Sequence, residues 1–187
     1  KSMMIESVGW DPDGEAIPDW VPQPGSGAVR HSEAVPHVSH RSAGRLFLGK
    51  YTFNSSTMTE VYNEGVPFSS RPSSLNGFYK YSPDAGDQTD HGKVTIELVR
   101  RDATTTETII AAGEYVFGSC PDFKSFNVPL VYQRYDLHPT HLKIMFISSV
   151  EADEVPIDDD NVPVTPNTEK GAYIGSILWI DNLSFTY

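Results

Sequence analysis

Apolar and polar side chains alternate with a period of two along most of this 187-residue chain. Successive side chains of a strand point to opposite faces, so the pattern predicts half-buried β-strands. The clearest run is 93–101, with Val94, Ile96 and Leu98 facing one way and Thr95 and Glu97 the other. Residues 107–117 return antiparallel after a turn at 102–106, as a hairpin with a longer loop. Phe126, Val128, Leu130 and Tyr132 alternate across 126–132. Strands are also expected at 3–8, within 28–40, and at 46–53, 75–81, 142–150 and 174–185. The stretch 54–64 reads as a polar connection, with a weak helical tendency at 57–64. About nine short strands without an amphipathic helix predict an all-β, two-layer sandwich. The last strand is expected to pair near the first.

The segments between strands read as loops. Residues 9–27 hold Pro12, Pro18, Pro22 and Pro24, too many for a helix. Trp10 and Trp20 lie in that loop and read as caps on the core, with a loop-built site as the other reading. The 82–92 segment is acidic and turn-rich. Residues 151–170 form one long acidic loop, whose Asp158-Asp159-Asp160-Asn161 run reads as solvated charge ahead of a calcium site. With no internal repeat and no boundary, one domain over 1–187 is expected, its irregular 1–27 segment packed on it.

Two stretches depart from plain alternation. In 65–81, Pro72 fixes its own φ and pushes Arg71 into an extended conformation. Beyond it, Leu75, Gly77, Tyr79 and Tyr81 share one parity and Asn76, Phe78 and Lys80 the other. In the last strand Leu178 and Ile180 face inward and Trp179 outward. Ile180 and Leu183, three apart, both call for the inner face, which requires a bulge at Asp181-Asn182. Arg71, Phe78, Lys80 and Trp179 together offer rings for a pyranose face and fixed donors for hydroxyls. They are the candidate carbohydrate-binding residues; scattered surface aromatics are the competing reading.

Composition narrows the partners. A net charge of −11 argues against nucleic acid and anionic membrane surfaces, and suits neutral sugars or bound cations. No apolar run approaches the ~20 residues of a membrane span. The single cysteine, Cys120, excludes an internal disulfide and sits in a Gly-Ser-Cys-Pro turn with no activating base nearby in sequence. His31, His37 and His40 invite a zinc reading, but His37 and His40 at i, i+3 share no strand face. There is no Gly-x-Ser-x-Gly, His-Glu-x-x-His or phosphate loop. Most carboxylates fall in loops. Glu97 stands on an outward strand face and reads as a cross-strand ion-pair partner, of Lys80 if the two strands are neighbours, rather than a catalytic acid.

Four pieces, in order, resemble the putative carbohydrate metabolism domain of surface and periplasmic proteins of Bacteroides-type bacteria. They are Ala43-Gly44-Arg45-Leu46-Phe47-Leu48-Gly49, the run from Gly65 to Tyr81, Ile147-Ser148-Ser149, and the run from Gly175 to Leu183. The resemblance spans roughly residues 28–187. It implies a jelly-roll sandwich similar to galactose-binding-like carbohydrate-binding modules, and brings no catalytic motif. In sugar-binding jelly rolls of this kind, an acid near the end of the last strand often shares a structural calcium with the N-terminal segment. Asp181, with Glu6 as partner, is the candidate pair; a bulge carboxylate bonded to backbone amides is the alternative. The sequence opens at Lys1 without a leader-like stretch, so a mature or excised product is expected. Location in the periplasm or at the cell surface, with a lipid anchor on a longer protein, follows from the resemblance alone. The expected function is a non-catalytic carbohydrate-binding module. A glycoside hydrolase or lyase with loop-borne carboxylates and a structural or adhesion domain are the alternatives.

Overall fold

The computed structural model describes residues 2–11, 29–31, 41–54, 59–83, 89–102, 106–150 and 176–187. Its strands, in chain order, begin with β1 (Met3–Glu6), β2 (Val8–Asp11), β3 (Val29–His31), β4 (Arg41–Ser42) and β5 (Arg45–Phe47). Then come β6 (Gly49–Asn54), β7 (Thr59–Glu64), β8 (Val66–Pro67), β9 (Ser74–Ser82) and β10 (Gly92–Arg101). The remainder are β11 (Glu107–Phe117), β12 (Cys120–Pro129), β13 (Val131–Tyr132), β14 (His141–Ile147) and β15 (Ile177–Thr186).

Two antiparallel sheets face each other as a sandwich of jelly-roll type. One is four-stranded, in the order β1-β15-β9-β12; the other is six-stranded, in the order β13-β11-β10-β14-β5, with β8 also on β14. The last strand pairs with the first, Met4 opposite Trp179. Inward residues of both sheets share one core: Leu75, Tyr79, Leu178 and Ile180 from one side meet Ile96, Phe117, Ile144 and Phe146 from the other. Tyr79 and Phe117 lie 4.8 Å apart between ring centroids, and Phe117 and Phe126 5.1 Å apart. Each such side chain, once buried, contributes about 1.5–3 kcal/mol, which makes this aromatic seam the main tie between the layers. The 93–101 alternation is realised, with Val94, Ile96 and Leu98 fully buried. A register shift between Leu98 and Val99 then turns two successive side chains inward, so Val99 is fully buried as well.

Several expectations need correction. The 54–64 connection, with its helical tendency, holds strand β7, which pairs with β6 as a two-stranded ribbon with Tyr51 opposite Tyr62. Its β-forming Val61 and Tyr62 find cross-strand partners that local propensity does not reveal. The single strand at 46–53 is two strands, parted where Leu48 donates its N–H to the Ile144 carbonyl and Gly49 takes a φ of +153°. Cys120 opens β12 rather than sitting in a turn, with its Sγ donating to the Asp122 carbonyl. The strand expected at 3–8 breaks at Ser7, and residues 9–11, expected as loop, continue β2 in a three-stranded sheet ordered β3-β2-β4. Trp20, His37, His40 and the Asp158–Asp160 run lie outside the described residues, as do the side chains of Trp10 and His31.

Three of the four sequence pieces that carry the family resemblance meet at one corner. The Ser148 hydroxyl accepts from the Gly44 N–H and lies 2.8 Å from the Ser7 hydroxyl, while the Ser7 N–H donates to the Ser176 carbonyl. A Cβ on Gly44 would run into the Glu6 backbone, so this close approach requires glycine. The Ser176 hydroxyl donates to Asp90, which is 1% exposed and also accepts from the His91 N–H. These residues close the seam between β1, β5, β14 and β15, and their role there is structural.

Candidate functional site

The outer face of the four-stranded sheet follows from strand parity. Tyr79 and Tyr81 are buried, so Asn76, Phe78 and Lys80 of β9 point outward. Trp179 of β15 lies opposite Lys80 and Asp181 opposite Phe78. On the other flank, Ser125 and Asn127 of β12 lie opposite Phe78 and Asn76. Phe78, Lys80 and Trp179 are therefore brought onto one surface. Phe78 is 43% exposed. The Lys80 ammonium sits over the Trp179 ring, 4.8 Å from its centroid, a cation–π contact worth roughly 0.5–1 kcal/mol in an exposed setting.

Polar groups that sequence reasoning missed complete this face. Asn127 Nδ2 donates to Asn76 Oδ1 at 2.6 Å, and Asn76 Nδ2 donates to Thr186 Oγ1 at 2.8 Å. The result is an amide ladder across three strands, aligned beside Phe78. A 450 Å³ depression is lined by Asn76, Phe78, Ser125, Asn127, Asn182 and Ser184 among others. In sequence these residues are scattered over more than a hundred positions, and the only local signal is the shared outward parity of Asn76 and Phe78. Beneath the face, Tyr79 is pushed up to about 12 by its burial and by the adjacent Tyr115 phenol.

The bulge expected in the last strand is present. The β15–β9 register shifts between Asp181 and Ser184, and Asn182 adopts a φ of +51°. Asp181 Oδ1 accepts from the Asn182 N–H at 2.8 Å, which is the backbone-bonded arrangement weighed against calcium. Parity is inverted past the bulge, so Phe185 packs toward the core, although Leu183 stays 44% exposed. Asp181 and Glu6 are not brought together. Glu6 pairs with Ile177, four residues along β15 from Asp181, which places them about 13 Å apart. Among the described residues no group of three or more His, Cys, Asp or Glu side chains forms a metal cage.

Arg71 lies apart from the other three candidates. Its guanidinium donates to the Leu137 carbonyl at 2.6 Å and the Arg134 carbonyl at 3.3 Å, and stacks 4.5 Å from the Tyr132 ring centroid. The Tyr132 hydroxyl in turn donates to the Pro72 carbonyl. Arg71 thus ties the segment entering β9 to the one leaving β13.

Glu97 is a cross-strand ion-pair residue as expected, but its partner is Lys143 on the six-stranded sheet, at 3.4 Å, not Lys80. Lys80 stands on the opposite layer. The Lys143 ammonium also lies 3.5 Å from Glu64 and 3.3 Å from Glu107, and Arg101 bridges to Glu107 at 2.7 Å. Partial burial works against the charge of both Lys143 and Glu107. Their mutual hydrogen bond and charges outweigh it, with Arg101 adding to the hold on Glu107, so Lys143 is raised and Glu107 lowered. Beside this cluster, a second depression of 520 Å³ is lined by residues including Thr95, Glu97, Ala112 and Glu114.

No curated protein sequence matches the chain. The family model described as "putative carbohydrate metabolism domain" matches residues 26–156. The chain belongs to that family. Among solved structures, a putative glycoside hydrolase from Bacteroides thetaiotaomicron VPI-5482 superposes with a TM-score of 0.58 at 19% identity, over 79% of this chain and 48% of that one. A putative glycoside hydrolase from Bacteroides vulgatus ATCC 8482 gives 0.56 at 18% identity, over 79% and 65%. The chain therefore spans about half of the first protein and just under two thirds of the second. At these identities the likeness is one of fold. A family 16 carbohydrate-binding module gives 0.37 at 13% identity, too weak a likeness to carry an argument. Among the described residues no helix is long and apolar enough to cross a membrane.

Proposed function

We propose that this domain binds neutral carbohydrate on the outer face of the four-stranded sheet and does not cleave it. The observation that carries this reading is the exposed Phe78 ring beside the Asn127–Asn76–Thr186 ladder, at the rim of the 450 Å³ depression. A sugar presents an apolar face and a ring of hydroxyls, and such a ligand is served by an aromatic platform with fixed amides. The chain's net charge of −11 favours an uncharged ligand over an anionic one. Trp179 and Lys80 extend the platform, the ammonium moving aside or donating to a hydroxyl. Such a module belongs on an exported protein in the periplasm or at the cell surface, where glycans are met.

The test is a glycan-binding screen run beside a reducing-sugar release assay, on wild type and Phe78→Ala. Binding that Phe78→Ala weakens, without sugar release, supports the reading. Release of reducing ends by the wild type would replace it with hydrolysis, the activity ascribed to the two Bacteroides fold neighbours. Neither binding nor release would leave a structural or adhesion role.

A further inference from the structure

The β6–β7 ribbon interrupts the edge of the six-stranded sheet. Phe47 pairs with Met145 on β14, and beyond the ribbon Val66 pairs with Leu142 on the same strand. The ribbon therefore springs from the sheet edge between β5 and β8. Which way it leans is fixed by its rings. Tyr51 and Tyr62, directly opposite each other, share one ribbon face, with centroids 5.2 Å apart. Tyr62 sits edge-on to Phe47 at 5.5 Å, and the Arg45 guanidinium lies 5.6 Å from the Tyr62 centroid. Phe47 shares its row with Met145 and Thr95, and Thr95 with Glu114, all on the outer side of the sheet. The tyrosines thus form a wall rising from the floor of that outer face. Glu64, on the same ribbon face as Tyr62, reaches down to Lys143 and anchors the base of the wall.

From this we infer that the domain has a second carbohydrate-binding surface, formed by the Tyr51–Tyr62 wall with Arg45 and by the polar floor carrying Thr95 and Glu114. It rests on the reading of the domain as a glycan binder. Tyr51 is 45% exposed, which leaves ring surface for a pyranose face. Arg45 is exposed at one end of the wall, with its Nη1 3.4 Å from the Tyr62 hydroxyl. Further across the sheet, along the row Phe47-Met145-Thr95-Glu114, the 520 Å³ depression is lined by Thr95 and Glu114, whose oxygens accept from sugar hydroxyls. Charge decides between occupants. Anionic ligands meet the Glu114 carboxylate on the floor. Cationic peptides find Glu64, Glu97 and Glu107 already paired with Lys143 and Arg101. A neutral, hydroxyl-rich chain matches what remains. The two platforms lie on opposite outer faces of the sandwich, so one domain can hold two chains, or cross-link them.

The experiment is isothermal titration of the domain with neutral gluco-, manno-, xylo- and galacto-hexaoses, and separately with a hexalysine peptide. It uses wild type, Tyr51→Ala, Tyr62→Ala and Phe78→Ala, each checked for fold by circular dichroism. Wild type is expected to bind two hexaose molecules. Tyr51→Ala, which removes an exposed ring, weakens one of them by about tenfold. Tyr62→Ala does the same, and Phe78→Ala weakens the other. A single site lost only in Phe78→Ala overturns the second surface and leaves the proposed function standing. A single site lost only in the tyrosine variants supports the second surface and removes the first. Binding of hexalysine in place of the hexaoses at the ribbon overturns the inference, and no hexaose binding overturns both.

Discussion

The two outer faces of this sandwich are built by the same alternation and yet differ in how their polar groups are used. On the six-stranded sheet, Lys143 stands among Glu64, Glu97 and Glu107, each within 3.3–3.5 Å, and Arg101 closes the group. Those charges satisfy one another and brace the ribbon against β10, β11 and β14. On the four-stranded sheet the polar groups are amides and hydroxyls. They bond in a row but keep some capacity: Asn76 spends both N–H groups on Ser74 and Thr186 yet keeps an acceptor lone pair, and Asn127 keeps one N–H and its side-chain carbonyl. A saturated charge cluster serves stability, whereas a partly used amide ladder leaves groups with which the proposed ligand can bond. Where a polar residue sits matters less than whether its neighbours have already consumed its bonding capacity.

The contrast can be broken most directly at Lys143. Lys143→Met leaves the partly buried Glu64 and Glu97 without their ion-pair partner, while Glu107 keeps Arg101, and is expected to cost about 2 kcal/mol, between the exposed and buried ion-pair limits. Urea denaturation measures this, and a loss below a few tenths of a kcal/mol would remove the bracing role. The same cluster has a pH signature. Lys143 is raised in the folded state, so its contribution is full below its ordinary 10.5 and is lost as pH rises through the folded value. Glu107 is lowered, so its contribution is full above its ordinary 4.5 and is lost as pH falls through the folded value. Stability from the cluster should therefore be flat from about pH 5 to pH 10 and fall on either side, and Lys143→Met should flatten the alkaline shoulder and shrink the acidic one, part of which Arg101 maintains. Wild type and variant with parallel pH profiles would contradict this.

On the other face the expected effects fall on binding. Phe78→Ala should lower glycan affinity by about tenfold, or ~1.4 kcal/mol, with little change in melting temperature. A collapse in melting temperature would show that the ring belongs to the core. Asp181→Ala removes the acceptor for the Asn182 N–H at the bulge, and is expected to cost about 1 kcal/mol equally in chelator and in added calcium. A calcium-dependent rise in the wild-type melting temperature, absent from the variant, would restore Asp181 as a metal ligand. The smallest effect is Lys80→Met. It loses one exposed cation–π contact, about 0.5 kcal/mol, set against the larger loss expected at Lys143.

The fold was largely legible. Val94, Ile96 and Leu98 declared β10 and its inner face, and the mismatch between Ile180 and Leu183 required the bulge at Asp181. Opposite parity placed Phe78, Lys80 and Trp179 outside. The ribbon was not legible, because β7 owes its existence to Tyr51, Lys50 and Gly49 across the hairpin rather than to its own polar residues. Asp90 looked like loop charge, yet it is buried because Ser176, eighty-six positions away, bonds it. Arg71 looked like a ligand donor because Pro72 holds it extended, and nothing near it in sequence announces the Leu137 carbonyl that it binds.

Local chemistry by itself determined which side of each strand is apolar, where the chain turns, and the acidic balance that disfavours anionic partners. These depend only on parity, glycine and proline geometry and counted charge, which any isolated stretch carries. Tertiary structure alone decided which strands are neighbours. That choice set Glu97 beside Lys143 instead of Lys80, aligned Asn76 with Asn127 and Thr186, and held Glu6 apart from Asp181. Hydrogen bonds and ion pairs act over a few ångströms, so their partners follow from strand order and register, which alternation along a single strand does not encode.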